Sequence, residues 1–358
     1  MHHHAMNRFA CSTLISAAAA LFTPPLHAQK AAPVANVAGV KTYLLATLER
    51  ATGAAGDFAA NAAAYAKIID THGGDYARAA AASGAELRAL VAKMQENYKA
   101  MDSFGYERVE GIVAGVPQLA DFDIYLDAGV PKAEASTDSP AAPVTLDLGN
   151  GQTIAEEGSL FTYIIEPALW GSQRKFVVPV DLDGDGKIAA KESLPKAEVL
   201  EAAAKDVRAK LAELTTTSNA WQPTPEDCFG AIVVMTPTLS GYFDDWKESR
   251  YTPEASGRFS AVSRVSDMRG IMESVSVLYD AVHAQVSTKD RALAKAIKQG
   301  FTNILAFIDR VEAREKKAGG KITAAEIDEL TAQAKERSDR LVPQVEQAAA
   351  ILNIKIAG

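Results

Sequence analysis

Residues 181 to 192 read DLDGDGKIAAKE, and their acids fall where a calcium ion needs oxygen. Counting twelve positions from Asp181, Asp183 and Asp185 stand at three and five. Gly186 takes six, where the chain must turn sharply, and Glu192 takes twelve, where a two-oxygen carboxylate closes the shell. Lys187 at seven offers its backbone carbonyl, and Ile188 at eight is expected to tie the loop to the core. Asp181, Asp183, Asp185, Lys187 and Glu192 are therefore the candidate calcium ligands of an EF-hand-type loop. The competing reading is a solvated acidic turn. A sensor pairs two such loops and flanks each with helices, whereas Val178-Pro179-Val180 makes a poor entering helix. The nearest echo, AGGKITAAE at 318–326, has Lys317 and Gly319 where acids belong, and Thr323 with Glu326 explains it as a helix-capping box. A lone loop suits a weak structural site, in the ~0.1–1 mM range of extracellular modules.

A second set of oxygen donors is dispersed. The stretch FGYERVEGIVAGVPQLADFDIYLDAG (104–129) holds Glu107, Glu110, Asp121, Asp123 and Asp127, and LFTYIIEPALWG (160–171) holds Tyr163 and Glu166. Three residues apart on a helix, that phenol and carboxylate share a face. Taken singly, each of these groups is more simply a solvated helix-surface side chain.

At these segments the chain resembles the imelysin-like family, the group that includes the EfeO-type periplasmic iron-uptake proteins. Tyr106-Glu107-Arg108-Val109-Glu110 and Phe122-Asp123-Ile124-Tyr125-Leu126-Asp127-Ala128 are similar to one family segment. Glu166 with Leu169-Trp170-Gly171 is similar to the GxHxxE helix and its Leu-Trp-Gly ending, and SRVSDMRGIMESVSVLYDAV, with Asp267, to the segment opening the second half. The similarity runs through most of the chain in family order. It implies an all-α fold of two four-helix bundles and a metal site gathered from the first bundle's acids and the GxHxxE helix. The residues it nominates here are Glu110, Asp123, Asp127, Tyr163 and Glu166. The function it implies is iron acquisition, with an iron permease or a periplasmic peroxidase as candidate partner.

The chain also departs from that pattern. Phe161 stands for the family's Gly, Tyr163 for its His and Gly129 for its Arg, and Pro167 follows the glutamate. Phenol and carboxylate oxygens without imidazole suit ferric iron, calcium or manganese better than copper or zinc. Pro167 is expected to kink or restart its helix and move Glu166 relative to Tyr163. Members of the family have been classed as peptidases, but a metallopeptidase needs imidazole ligands on a Lewis-acidic metal. Beyond residue 28 the chain holds only His72, in a turn-like DTHGGD, and His283, on an amphipathic helix. Cys228 beside Asp227 has no sequence partner for nucleophilic work. No enzymatic activity is expected.

These donors must be positioned mostly by helices. Apolar residues recur at three- and four-residue steps in Leu87, Val91, Met94, Tyr98 and Met101, in Leu200, Ala203, Val207, Leu211 and Leu214, and in Leu293, Ile297, Phe301, Ile304, Ile308 and Val311. Stripes of this width require partner helices. The expected fold is all-α, with two four-helix-bundle-like halves at 29–224 and 225–358. The first carries a small irregular or hairpin insertion at 131–157, turning at Gly149-Asn150-Gly151, and the loop at 181–192. KFVVPV (175–180) reads as extended.

Residues 1–28 read as a His-bearing tag and a secretory leader, with Arg8 ahead of an apolar run and a small-residue cleavage site at Ala28. The expected location is periplasmic or secreted. Removing the leader takes the formal charge from −8 to −9, since Arg8 is its only charge. So acidic a chain repels nucleic acid, and no later run reaches membrane length. One cysteine, Cys228, remains, which excludes an intrachain disulfide. A second functional reading is a calcium-stabilised envelope-interaction or carbohydrate-binding module. In it Tyr242, Phe243, Trp246 and Tyr251 of SGYFDDWKESRYTP would face a sugar chain such as an acidic polysaccharide. The alternative for those aromatics is that they pin a loop to the core.

Overall fold

Apolar stripes on alanine-rich segments leave helices little to bury against except one another, and the chain folds accordingly. The computed structural model describes residues 35–137, 139–149, 151–189, 192–252, 257 and 259–356. The expected tag and leader at 1–28 lie outside these residues, as does Asn150 of the hairpin turn. The α-helices run α1 Val37–Thr71, α2 Tyr76–Met101, α3 Glu107–Val113, α4 Ala120–Asp123, α5 Glu166–Trp170, α6 Ala197–Ala220, α7 Pro225–Met235, α8 Thr238–Trp246, α9 Arg264–Lys289, α10 Arg291–Lys317 and α11 Ala324–Ile351. The fold is all-α, with two small antiparallel ribbons among the described residues. None of the described helices is long and apolar enough to cross a membrane.

Helix α1 buries Val40, Leu44, Leu48, Ala51, Ala55 and Phe58 along one side and packs against α2 and α6. Further on, α9 lies along α10, and α11 packs on α8, α10 and α7. The described residues form one compact unit, with α3 against α9 joining the earlier helices to the later ones. Local signals set the helix starts. Asp75 accepts a hydrogen bond from the Arg78 N–H and Asp290 from the Leu293 N–H, each satisfying a donor that a helix start leaves open. The Thr323–Glu326 capping box forms with both of its reciprocal hydrogen bonds, as the sequence predicts. A second box, Thr224 with Asp227, starts α7 with Pro225 in the first turn.

The ribbons interrupt the helices where β-branched and turn residues cluster. Strands β1 (Thr145–Asp147) and β2 (Thr153–Ala155) pair Leu146 with Ile154 as the expected hairpin. Strands β3 (Val177–Pro179) and β4 (Ser193–Pro195) pair Val178 with Leu194, so the 181–192 loop is closed by a ribbon and not by a helix pair.

Two features of the helices prepare the interior for chemistry. First, α3 and α9 cross so closely that a Cβ on Gly111 would stand 2.7 Å from the Ile271 carbonyl oxygen, and one on Gly270 2.9 Å from the Glu107 Cβ. Only glycine at these places lets Glu107 and Asp267 share one interior space. Second, the helical path widens into π-turns at Asp102–Tyr106, Ile124–Ala128 and Leu160–Ile165. Such turns occur frequently at functional sites. Here the first two carry Asp102 and Asp127, and the third leads directly into Glu166.

Candidate metal centre

Seven carboxylates, Asp102, Glu107, Glu110, Asp123, Asp127, Glu166 and Asp267, are buried in the interior beside α3 and the first turn of α9. Glu107 and Glu110 stand one turn apart on α3. Glu107, Glu110 and Asp127 each offer an oxygen, and the three oxygens lie within 4.8 Å of one another. Hydroxyl groups hold several members in place. Tyr242 donates to Glu110 Oε1 at 2.6 Å, Tyr106 to Asp123 Oδ1 at 3.2 Å and Thr162 to Asp127 Oδ1 at 2.7 Å. Behind this group lies a cavity of about 10 Å³, room for one water-sized sphere, lined by Asp102, Asp127, Glu166, Arg264 and Asp267. Arg264 is its built-in cation. The guanidinium donates to Asp267 Oδ2 at 2.6 Å and lies between the rings of Tyr242 and Phe259, at 4.3 and 4.5 Å.

So many carboxylates in one apolar interior cannot all carry charge, because each loses its hydration and repels the others. Burial, and after it the neighbouring acids, pushes Asp102, Glu107 and Asp123 well above the usual carboxylate range. Burial likewise raises Glu110, Glu166 and Asp267 to about 7. The Tyr242 hydroxyl, the Ala261 and Ser260 N–H groups and the Arg264 guanidinium respectively hold those three back from rising further. Burial opposes the charge on Arg264 too, but Asp267, Tyr242 and Glu107 more than offset it, and the guanidinium stays protonated.

The donors fit a cation. Glu107 Oε2, Glu110 Oε2, Asp102 Oδ1 and Asp267 Oδ1 are buried with no hydrogen-bond partner, a state that is costly unless something positive or protonated meets it. A hard ion with oxygen ligands at ~2.0–2.6 Å sits comfortably among oxygens spaced like those of Glu107, Glu110 and Asp127. The imelysin sequence profile (Peptidase M75) matches residues 70–349, which takes in all seven acids. The chain belongs to the imelysin family. Among curated proteins none matches it.

The structure brings together four of the five residues expected at this site. Glu110, Asp123 and Asp127 meet at α3, and Glu166 joins them on the far side of the small cavity. Glu166 Oε1 also accepts the N–H groups of Ser260 and Ala261, at 2.5 and 2.6 Å, so it fastens the 259–261 segment over the chamber. Tyr163 does not share the Glu166 face. It lines an outer cavity, its ring against Gly158, because i→i+5 π-turn geometry moves residues three apart out of register. The helix restarts at Glu166–Pro167 as expected.

Departures from the imelysin pattern have visible consequences. Phe161 fills the core against Tyr98 and Tyr106 at ring separations of 6.1 and 5.3 Å. Position 129 admits no side chain, since a Cβ would meet the Ile124 carbonyl oxygen at 2.2 Å. The chamber's guanidinium comes from Arg264 instead. His72 caps the end of α1 and His283 packs against Tyr279 on α9; neither lines the chamber. Asp102, Glu107, Arg264 and Asp267 were not singled out as ligands in the sequence. The i, i+3 spacing of Glu107 with Glu110, and of Arg264 with Asp267, was the available signal. Asp102 offered none.

The four aromatic residues at 242, 243, 246 and 251 are buried or half-buried. Phe243 and Trp246 are fully buried, with Phe243 5.5 Å from Phe307. Tyr242 serves Glu110, and Tyr251 donates to the Ala261 carbonyl. This corrects the expectation of a sugar-facing surface there: the residues pin a loop and a core.

Among the described residues of the 181–192 loop, 183–189 are exposed, and the loop's acids are held by its own backbone. Asp181 accepts from Gly184 N–H at 2.7 Å and Gly186 N–H at 2.9 Å, which holds its carboxyl below the usual range. Asp183 accepts from Asp185 N–H and Asp185 from Lys187 N–H. The oxygens of Asp181, Asp183 and Asp185 lie within 4.8 Å of one another. The Glu192 carboxylate spans the loop, accepting from Leu182 N–H and Ala189 N–H. Gly184 and Gly186 take the left-handed backbone the turn requires, each at φ +80°. Ile188 is 56 % exposed, so the expected tie to the core is wrong. The loop is anchored instead by the β3–β4 ribbon and by Arg88, which donates to the Leu182 carbonyl at 2.8 Å.

Proposed function

We propose that this imelysin-family protein captures a hard metal cation, iron as cargo, in the carboxylate chamber beside α3 and α9. The observation that carries the reading is the set of four buried, unpartnered carboxylate oxygens on Asp102, Glu107, Glu110 and Asp267. Glu107, Glu110 and Asp127 would hold the ion, with Asp123 and Glu166 nearby and Tyr242 as the adjacent phenol. An all-oxygen set of this charge favours ferric iron or manganese over copper and zinc. The leader-like start supports an exported, periplasmic or secreted setting, where an iron permease or a peroxidase would be the partner. In this reading the protein binds and does not catalyse. A peptidase would need a polarised water and imidazole ligands, and His72 and His283 lie elsewhere. Calcium at Asp181, Asp183, Asp185, Lys187 and Glu192 would brace the ribbon that follows the Glu166 helix.

Ferric titration of calcium-loaded protein tests this. Tight binding with a visible phenolate-to-iron band is expected. The band should disappear in Tyr242→Phe and persist in Tyr163→Phe. In the double variant Glu107→Gln, Glu110→Gln, affinity should fall roughly 100-fold or more, at about 1.4 kcal/mol per tenfold. Equal affinity in that double variant would sink the assignment.

A further inference from the structure

The chamber poses an access problem. Its acids are at most 8 % exposed, so a cation must pass through a wall to reach them. One solvent-open cavity shares a residue with the chamber. It is about 420 Å³, lined by Glu134, Glu157, Thr162, Tyr163, Gln173 and Lys175 among others, and Thr162 belongs also to the lining of the small inner cavity. Thr162 is half-buried, and its hydroxyl donates inward to Asp127 Oδ1. Asp127 is in turn the most exposed of the seven chamber acids, at 8 % against 5 % or less for the others.

We infer that the outer cavity is the route by which a hydrated metal cation reaches the chamber, with Thr162 as the gate and Asp127 as the first carboxylate met inside. The inference rests on the proposed cation-binding role and adds the path and its gate. Its chemistry follows from the walls. The outer cavity carries polar groups beside apolar ones and is wide enough for an ion with its first water shell, whereas the inner one takes a single sphere of water size. The ion therefore sheds most of its water where the two cavities adjoin. There the Thr162 hydroxyl and the Asp127 carboxylate offer replacement oxygens. Glu134 and Glu157 put negative charge in the outer cavity; Lys175, paired with Glu157, cancels one of the two. Their role is to attract the ion and raise its local concentration, not to hold it.

A gate residue changes how fast a ligand comes and goes without changing how tightly it is held. Mn(II) serves as probe, followed by stopped-flow quenching of intrinsic fluorescence. The protein carries Asp181→Asn and Asp183→Asn, so that the exposed loop does not contribute. Filling the passage with Thr162→Leu should slow association and dissociation together, each by at least about tenfold, while the equilibrium constant, which also feels the lost hydrogen bond to Asp127, changes by clearly less than either rate. Glu134→Gln, at an exposed position, with Glu157→Gln, at a half-buried one, should lower the association rate about threefold at low ionic strength. That difference should vanish in high salt. Rates in Thr162→Leu equal to those of the parent would overturn the route. So would a loss of affinity as large as the loss of association rate, which would make Thr162 part of the bound site. If the parent binds no Mn(II) at all, the cation reading falls and the route with it. Binding with unaltered rates removes the route alone.

Discussion

The 181–192 loop and the chamber beside α3 both gather carboxylates, and they hold them in opposite ways. In the loop the acids stand in water within twelve residues, and the backbone supplies their partners. Asp181 and Glu192 each accept two N–H groups, and Asp181 is held toward its charged form. In the chamber the acids arrive from residues 102 to 267 and lose their water, and burial pushes Asp102 and Glu107 among them toward the protonated form. A solvated loop whose backbone already stabilises its charges costs the fold little. One made of unpaired buried carboxylates strains the fold until a cation or protons relieve it. The difference is the ground for proposing that the loop braces and the chamber binds.

The strongest way to break this contrast is to remove the chamber's own cation. Arg264→Gln leaves Asp267 buried without its ion pair and should destabilise the protein by about 3–5 kcal/mol, read by denaturant melts. A loss below about 1 kcal/mol would mean that the chamber acids are already neutral without it.

The pH dependence sharpens the same point. Chamber acids whose folded-state values lie above their unfolded ones contribute stability that is complete below the unfolded value near 4.5 and is lost as pH rises through about 7. Metal-free protein should therefore lose stability steadily between about pH 4.5 and 7, and saturating Mn(II) should flatten that fall. Asp181 has the reverse sign: its stability is present above its unfolded value and lost only as pH falls below it, outside this window. A metal-free melting profile that rises with pH over 4.5–7 would contradict the electrostatics described for the chamber.

The smallest expected effect belongs to the loop. Calcium at ten to a hundred times its dissociation constant should add about 1.4–2.7 kcal/mol to stability. Asp181→Asn with Asp183→Asn should abolish this gain while leaving Mn(II) binding in the chamber intact. Calcium stabilisation that survives the double substitution would place the calcium elsewhere.

What could be read from the sequence divides along the same line. The clustering of the loop's acids was legible because they and the turns that orient them are contiguous, with glycines where a positive φ is needed. The helical stripes and the Thr323–Glu326 cap were legible because they too are matters of neighbouring residues. Ile188 misled, because the position that usually ties such a loop to its core here faces water, and a ribbon and Arg88 do the anchoring. Tyr163 misled because an α-helical spacing was assumed where the chain makes a π-turn, and i→i+5 bonding leaves no periodic trace in six residues.

By itself, then, the sequence determined helix content, the Thr323–Glu326 helix start, the acid spacing of the 181–192 loop and the residue types available for binding, all of which depend on interactions a few residues long. The tertiary structure alone decided which of those acids face one another. Glu107 and Asp267 are separated by most of a helical bundle in the chain, and they meet because glycines at 111 and 270 let α3 and α9 approach. The same packing excludes water from the acids, and it is that exclusion, a property of no single segment, that turns ordinary carboxylates into a site demanding a positive charge.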